Sequence, residues 1–533
     1  MGYWVTSAGR VSVMPAGAAR WTASDVAVVA GLRAKKTGRL SDAEEALRKA
    51  LQIDTLNIQA MHSLGVVLRA RGKLDEAASV LYAAAALEPD SWAIWNDLGL
   101  TREQQGRLYQ ARHIYRRAAE IPGAGPGPAI NHANILIRLN RTQEAITAYR
   151  AVMERAPERA EAAINLATVL EKSGQLRPAT AVVREGLIRD RRNPALNLTA
   201  ARLERRAKRH PGAIMRLRKI LDEERPPAIE AAIQAELGLC HDALGEMAEA
   251  MIAFTRANRL MRREARALIH DRAQIFETLK QCSTALERRT QTSCPVRTPL
   301  FVVGIPGAGC SDLAAQLLAR TGATILEDPG PMATIHAAWP KEETSPEVPP
   351  PDQHVQQLRR LYFDLAAEQS GRRDGPIIDI STANLLRMDI ILTVFPSAQT
   401  ALMVRHPADL ALACLARVFQ PSAISAHFHT LTDILKFLEH AEPLTHRLAK
   451  QLGENLHLIR YETLAEEPDR SILELLAFAG IEAAAPATQC SLQLEEGFTP
   501  GRWNKYWPWL EEHAERLRSL CKTSGYPLEP RWP

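Results

Sequence analysis

Positions 34 residues apart carry the same kinds of side chain through the first half of this 533-residue chain, and nothing else restricts its fold as much. Gly38, Gly72 and Gly106 stand at steps of 34 (72 − 38 and 106 − 72), and the series runs on through Asn140 to Gly174. Ala43, Ala77, Ala111, Ala145, Ala179 and Ala213 keep that step, and Ala250 follows after a slip of three. Leu47, Leu81, Tyr115, Tyr149, Val183, Leu217 and Phe254 fill a third slot, and Leu64-Gly65, Leu98-Gly99 and Leu237-Gly238 a fourth. Such a period belongs to a solenoid, in which each unit buries its apolar face only against its neighbours. Small residues recur where two antiparallel helices touch, and a large apolar residue fills the gap between them. The turn position asks for positive φ, which Gly adopts freely and Asn140 tolerates. Pro89 and Pro157 stand where second helices end.

This pattern resembles the tetratricopeptide repeat, with about seven units. The resemblance implies a concave face, built from exposed positions of the first helices, that holds a protein or peptide partner. Arg202, Arg205, Arg206, Lys208 and Arg209 form a basic run that reads as a solvated helix face. Residues 1–23 read as a disordered N-terminus and 24–260 as the array. Residues 261–297 read as a helical connector, with Leu268, Ile275, Leu279 and Leu286 on one stripe, and 298–533 as a second domain. The expected fold is therefore an α-helical solenoid followed by an α/β domain with a phosphate-loop-like turn and a parallel sheet.

A net charge of +5 suits anionic ligands without requiring nucleic acid. Seven cysteines without a CxxC pair point to neither a zinc site nor a disulfide framework. No apolar run approaches the ~20 residues of a membrane span, and the N-terminus lacks a secretory apolar segment, so a cytoplasmic location is expected.

The second domain opens with an apolar run, Pro299-Leu-Phe-Val-Val303, suited to a buried parallel strand. A Gly-rich turn, Gly304 to Ser311, then leads into a segment of helical spacing from Asp312 to Arg320. Such a turn aims backbone N–H groups and a helix dipole at one point, which is a place for phosphate. The turn reads G-x-x-x-x-G-C-S. A nucleotide-triphosphatase loop needs Lys where Cys310 stands, which argues against an ATPase or kinase of that class.

Here the chain resembles the sulfotransferase family, in particular bacterial tetratricopeptide–sulfotransferase fusions and protein-tyrosine sulfotransferases. The loop Val303-Gly-Ile-Pro-Gly-Ala-Gly-Cys-Ser-Asp-Leu313 is similar to the family's V-G-x-P-R-S-G-T-T-L. Ile377-Ile-Asp-Ile-Ser-Thr-Ala-Asn384 with Phe395-Pro-Ser-Ala398 resembles D-K-x-P-x-N and F-P-x-A. Met403-Val-Arg-His-Pro-Ala-Asp-Leu-Ala-Leu-Ala-Cys414 resembles a strand followed by R-D-P-R-D-x-x-L-S-C. Ile459-Arg-Tyr-Glu-Thr-Leu-Ala-Glu-Glu-Pro468 and Gly501-Arg-Trp-Asn-Lys-Tyr506 are similar to R-Y-E-D-L-x-x-x-P and G-R-W-x-x-Y.

The resemblance implies transfer of a sulfuryl group from 3′-phosphoadenylyl sulfate (PAPS) to a hydroxyl of a protein (tyrosine) or saccharide acceptor, without a metal. It assigns cofactor binding to Gly304, Gly307, Ala308, Gly309, Cys310, Ser311, Arg405, Ala413 and Arg502, with Asp379, Asn384 and Lys505 also retained. It places the catalytic base at Glu327 or Asp328. Several family residues are replaced: the loop's basic residue by Gly307, its first Thr by Cys310, the second landmark's Lys by Ile380, and Ala413 and Ala408 in the third. Losing one preorganised donor to developing charge costs about 3 kcal/mol, so two missing cations bear directly on catalysis. A non-catalytic module on a repeat scaffold is the competing reading.

His406 and the pair Tyr461 and Glu462 read as structural, and Trp503, Trp507 and Trp509 as packing for the C-terminal helix. His427 and His429 fall in a segment read as helical and surface-exposed. Lys341 to Pro351 reads as a Pro-rich loop.

Overall fold

A computed structural model of the chain describes residues 3–5, 11–13, 22–264, 272–287, 297–327, 330–339, 351–483 and 499–528. The chain divides into two compact units, 1–156 and 157–533.

The first unit holds an antiparallel pair, β1 (Tyr3–Val5) and β2 (Val11–Val13), and four helical hairpins. These are α1 (Ala23–Lys36) with α2 (Leu40–Ile53), α3 (Ile58–Ala70) with α4 (Leu74–Leu87), α5 (Trp92–Gln104) with α6 (Leu108–Glu120), and α7 (Pro126–Arg138) with α8 (Thr142–Arg155). The second unit begins with α9 (Ala160–Lys172), α10 (Leu176–Arg189), α11 (Pro194–Arg206), α12 (His210–Leu221), α13 (Pro227–Leu244), α14 (Met247–Glu264) and α15 (Arg272–Glu287).

The periodic slots do what their chemistry demands. A Cβ added at Gly31, Gly65, Gly99 or Gly238 would come within 2.7 Å of Leu47, Leu81, Tyr115 or Phe254 respectively, so the helices of a hairpin touch through glycine. Every hairpin turn carries positive φ, including Asn140 at 56° and Lys208 at 59°. Lys208 is the costly one, because the left-handed region strains a residue with a long side chain by about 1–2 kcal/mol. Lys208→Gly is therefore expected to stabilise the protein by about 0.5–1 kcal/mol in chemical denaturation. No gain in the midpoint would show that the strain is relieved elsewhere.

Only part of the basic run is a solvated face: Lys208 and Arg209 are exposed, but the three arginines before them are not. Arg202, Arg205 and Arg206 share one side of α11, being spaced i, i+3, i+4, and that side packs on neighbouring helices. Arg205 is 7% exposed and its Nε donates to Glu236 of α13 at 2.5 Å, with Arg202 3.8 Å from the same carboxylate. Arg206 pairs with Glu171 of α9 at 3.2 Å. Arg202, Arg205 and Arg206 form an ion-pair cluster between helices, since burying cations requires partners.

The rest of the second unit winds around a parallel sheet. In chain order it comprises β3 (Leu300–Gly304), α16 (Cys310–Arg320), β4 (Thr324–Glu327), α17 (Pro331–Ala338), α18 (Asp352–Ser370), β5 (Ile377–Ile380), α19 (Met388–Val394) and β6 (Thr400–Val404). There follow α20 (Pro407–Ala416), α21 (Leu431–Leu452), β7 (Leu456–Arg460), α22 (Tyr461–Glu466), α23 (Pro468–Ala479), α24 (Trp507–Leu510) and α25 (Ala514–Ser524). The strand order is β4-β5-β3-β6-β7, every pairing parallel. Continuous apolar strands such as Leu300–Val303 are buried on both faces, as helices above and below require. The same core takes in Met251 and Phe254 of α14 and Leu279, Cys282 and Leu286 of α15.

His427 and His429 are not surface residues. Their segment folds into a 3-10 turn, Ser425–His427, that carries both rings inward to 1% and 7% exposure. His427 packs against Phe276 and Phe437, with ring centroids 4.5 and 5.5 Å away. The Pro-rich loop from Lys341 lies outside the described residues except for Pro351, which caps α18.

Candidate anion-binding site

The chain leaves β3 towards β4 on one side of the sheet and leaves β6 towards β7 on the other. The carboxyl ends of β3 and β6 therefore flank the point where the winding reverses, which is where open α/β sheets hold ligands. The sequence landmarks gather at these ends. Gly304 to Ser311 follow β3, Glu327 ends β4, Ile380 ends β5, Arg405 follows β6 and Tyr461 follows β7.

The loop's glycines are dictated by space and by backbone. A Cβ on Gly304 would lie 3.0 Å from Met403 on β6. Gly307 and Gly309 have φ of 94° and 106°, and a Cβ on Gly309 would stand 2.3 Å from Cδ2 of Tyr461. Gly309 caps α16, whose first turn holds Cys310, buried, and Ser311, exposed. The N–H groups at a helix's first turn and the positive end of its dipole favour an anion.

Arg405 adds the cation. It is 5% exposed, its Nη1 donates to the Gly307 carbonyl at 3.0 Å, and its guanidinium lies 4.2 Å from the centre of the Tyr461 ring. The Tyr461 hydroxyl donates to Asp312 Oδ2 at 3.2 Å. Burial, and then the charge of Asp312, push its pKa above the ordinary phenol value, so it remains a donor. The Cys414 thiol donates to the Pro306 carbonyl at 3.0 Å, with its pKa raised to about 12 by burial. Ala413 and Ala308 are both 1% exposed, and the Ala413 Cβ lies 3.6 Å from where a Cβ on Gly307 would stand.

Other expected site residues are engaged elsewhere. Asp379 is fully buried and accepts from Tyr362 Oη at 2.9 Å and from Asn384 Nδ2 at 3.0 Å. Ile380 is 4% exposed and sits in register beside Glu327, which is exposed. Asp328, the other candidate base, lies outside the described residues. Arg502 turns to α13, where its Nε donates to Asp242 Oδ1 at 2.9 Å and its Nη2 to the Asp242 carbonyl. Lys505 is exposed.

His406 is structural, as its sequence context suggests. Its Nδ1 accepts from the Ala408 N–H at 3.2 Å, capping α20, and its Nε2 lies 3.0 Å from the Pro527 carbonyl. Both contacts require the neutral ring protonated at Nε2, a tautomer we assign from these partners. Glu462 accepts from the His406 N–H at 2.8 Å and from Tyr526 Oη at 2.8 Å. Sequence reasoning undervalued Tyr461, Asp312 and Cys414. Only Tyr461 had a signal, its place in the R-Y-E segment.

Residues 299–485 match the Sulfotransferase family model, and residues 62–127 and 136–203 match Tetratricopeptide repeat models. The chain joins tetratricopeptide repeats to a sulfotransferase-family domain. Cellulose synthase operon protein C of Pseudomonas fluorescens (strain SBW25) is 29% identical over 161 residues, 28% of this chain and 13% of that protein's length. Among solved structures, a tetratricopeptide repeat protein from Parabacteroides merdae ATCC 43184 aligns with TM-score 0.37 at 18% identity, covering 44% of this chain and 93% of its own. YrrB, described as a tetratricopeptide protein with an unusual peptide-binding site, aligns with TM-score 0.28 at 16% identity, covering 34% and 93%. Among the described residues of the sulfotransferase-family domain and the repeats, no helix is long and apolar enough to cross a membrane.

Proposed function

We propose that the sulfotransferase-family domain binds PAPS and transfers its sulfuryl group to a hydroxyl of a protein (tyrosine) or saccharide acceptor recruited by the repeats. The observation that carries this reading is Arg405 seated on the Gly307 carbonyl beside the first turn of α16, a cation and a helix N-terminus at one strand-end crevice. The residues present suit a nucleotide with phosphate groups. The loop N–H groups and Ser311 would face the 5′-phosphate and Arg405 the 3′-phosphate. PAPS supplies an activated sulfuryl group, transferred by in-line displacement with little covalent work from the protein. Glu327, at the end of β4, is the described candidate for taking the acceptor's proton.

A second reading is favoured by two positions. Gly307, with Leu410 and Cys414 3.2 Å from where its Cβ would stand, and buried Ile380 carry no charge where the leaving group needs it. On that reading the domain binds a bisphosphate nucleotide without transferring anything. Restoring Gly307→Arg is no clean test of it, because φ at 94° strains any side chain.

Calorimetric titration with adenosine 3′,5′-bisphosphate tests the shared core of both readings. Micromolar binding is expected, with a loss of at least about tenfold in Arg405→Ala, the scale of a lost charge-assisted bond. No binding by a folded wild-type protein would sink both. Transfer of labelled sulfate to peptide or glycan acceptors then separates them.

A further inference from the structure

Four repeats use one slot to ion-pair forward along the array, the intervening position 137 being the apolar Ile137. Arg69 and Glu103 stand 34 apart (103 − 69), Glu171 and Arg205 again 34 (205 − 171), and Asp242 follows at 37 with the slip of three. Arg69 pairs with Asp97 at 3.2 Å, Glu103 with Arg138 at 2.8 Å, Glu171 with Arg206 at 3.2 Å and Arg205 with Glu236 at 2.5 Å. In each case the partner lies on the first helix of the following repeat. At Asp242 the periodic sequence offers no following repeat. The closing segment Gly501 to Tyr506 supplies the partners instead: Arg502 Nε at 2.9 Å and Tyr506 Oη at 2.7 Å, on a carboxylate that is 1% exposed.

The same segment is gripped from the other side by α20. Asp409 is fully buried and accepts the Gly501 N–H at 2.7 Å and the Trp503 N–H at 2.9 Å, one on each side of Arg502. His406 stacks on Trp503 with centroids 4.9 Å apart and planes 6° from parallel. Arg405 is next in the chain to His406 and one helical turn before Asp409, whose carboxylate it faces electrostatically. Hydrogen bonds and one ring stack thus join the last repeat to α20 through the closing segment, and Arg405 directly precedes His406 in the chain.

We propose that Asp242 is a positioning residue of the nucleotide site. By holding Arg502 and Tyr506 in the array's own pairing slot, it fixes the closing segment against Asp409 and His406, and so fixes Arg405 on the Gly307 carbonyl. The repeat array then ends as part of the anion site rather than as a separate scaffold. This rests on the nucleotide-binding reading above.

The test is a double-mutant cycle in the full chain, read as affinity for adenosine 3′,5′-bisphosphate, with thermal melting as a check on folding. Asp242→Asn is expected to weaken binding about tenfold when Arg405 is present, within the range for coupled neighbours. In an Arg405→Lys background, already weakened but measurable, the same change is expected to matter less than twofold. If Asp242→Asn fails to fold, Arg502→Lys replaces it, because it keeps the charge but not the planar fork. Equal effects in both backgrounds would mean that Asp242 acts on overall stability alone and would overturn the proposal. Unchanged or tighter binding in either variant would overturn it too. A wild-type chain that does not bind removes the underlying reading, and this inference with it.

Discussion

Acidification from pH 7 to pH 4 is expected to remove on the order of 5 kcal/mol of stability from the unit of residues 157–533 through two histidines. His427 and His429 have pKa values pushed down to about 4, first by burial and then by the charge of Arg272, with Arg262 adding for His429 and His440 for His427. Asp433 opposes the shift at both rings. The folded state therefore keeps both rings neutral, while the unfolded chain takes up protons near pH 6.5. A depressed folded pKa means stability that is complete above about 6.5 and is lost as pH falls towards 4. Buried Glu171, Asp389 and Asp409, whose carboxyls are raised chiefly by burial, act in the opposite sense. Comparison with the double variant His427→Leu, His429→Asn isolates the histidine contribution. Denaturation midpoints that fall in parallel for both proteins across pH 6.5 to 4 would refute it. The Glu44 cluster of the first unit titrates below this window, since Glu44, despite its burial, is held down to about 2 by Lys73, Arg48 and Arg71.

Gly309→Ala carries the second large effect, about 3 kcal/mol or more of destabilisation together with loss of nucleotide affinity. Two costs add at this position. Alanine at φ 106° strains the backbone by about 1–2 kcal/mol, and its Cβ would stand 2.3 Å from the Tyr461 ring, an overlap of the kind that costs about 1–3 kcal/mol to relieve. Tyr461 cannot retreat cheaply, because its ring packs under the Arg405 guanidinium and its hydroxyl bonds Asp312. Moving the ring would shift Arg405, which is why binding should fall with stability. A melting temperature and a bisphosphate affinity both equal to wild type would show that the loop has another way to open. Gly38, by contrast, has open space around it, so a substitution there meets backbone strain alone.

Much of this was legible in the chain itself. The step of 34 places the helical hairpins, and Gly65 against Leu81 or Gly99 against Tyr115 follows from residue size at fixed spacing. The strand–turn–helix at Gly304 and the landmark around Arg405 fall where their composition puts them, because buried strands and glycine turns answer to local chemistry. Local chemistry is also where that legibility stops. Nothing in R-R-A-K-R distinguishes a solvated helix face from one packed on Glu171 and Glu236, since both satisfy the same periodicity. His427 and His429 went inward through a 3-10 turn that polar residues do not announce.

Sequence alone determined the repeat register, the glycine requirement of the loop and the family of the α/β domain, all of which show in short stretches of chain, each legible by itself. Tertiary structure alone decided that Tyr461 covers Gly309, that Arg405 rests on Gly307, and that Arg502 faces Asp242 across 260 residues. Those pairings are set by which helix and strand ends share a buried space, where an unpaired charge or hydroxyl must find a partner, and no local pattern encodes that meeting.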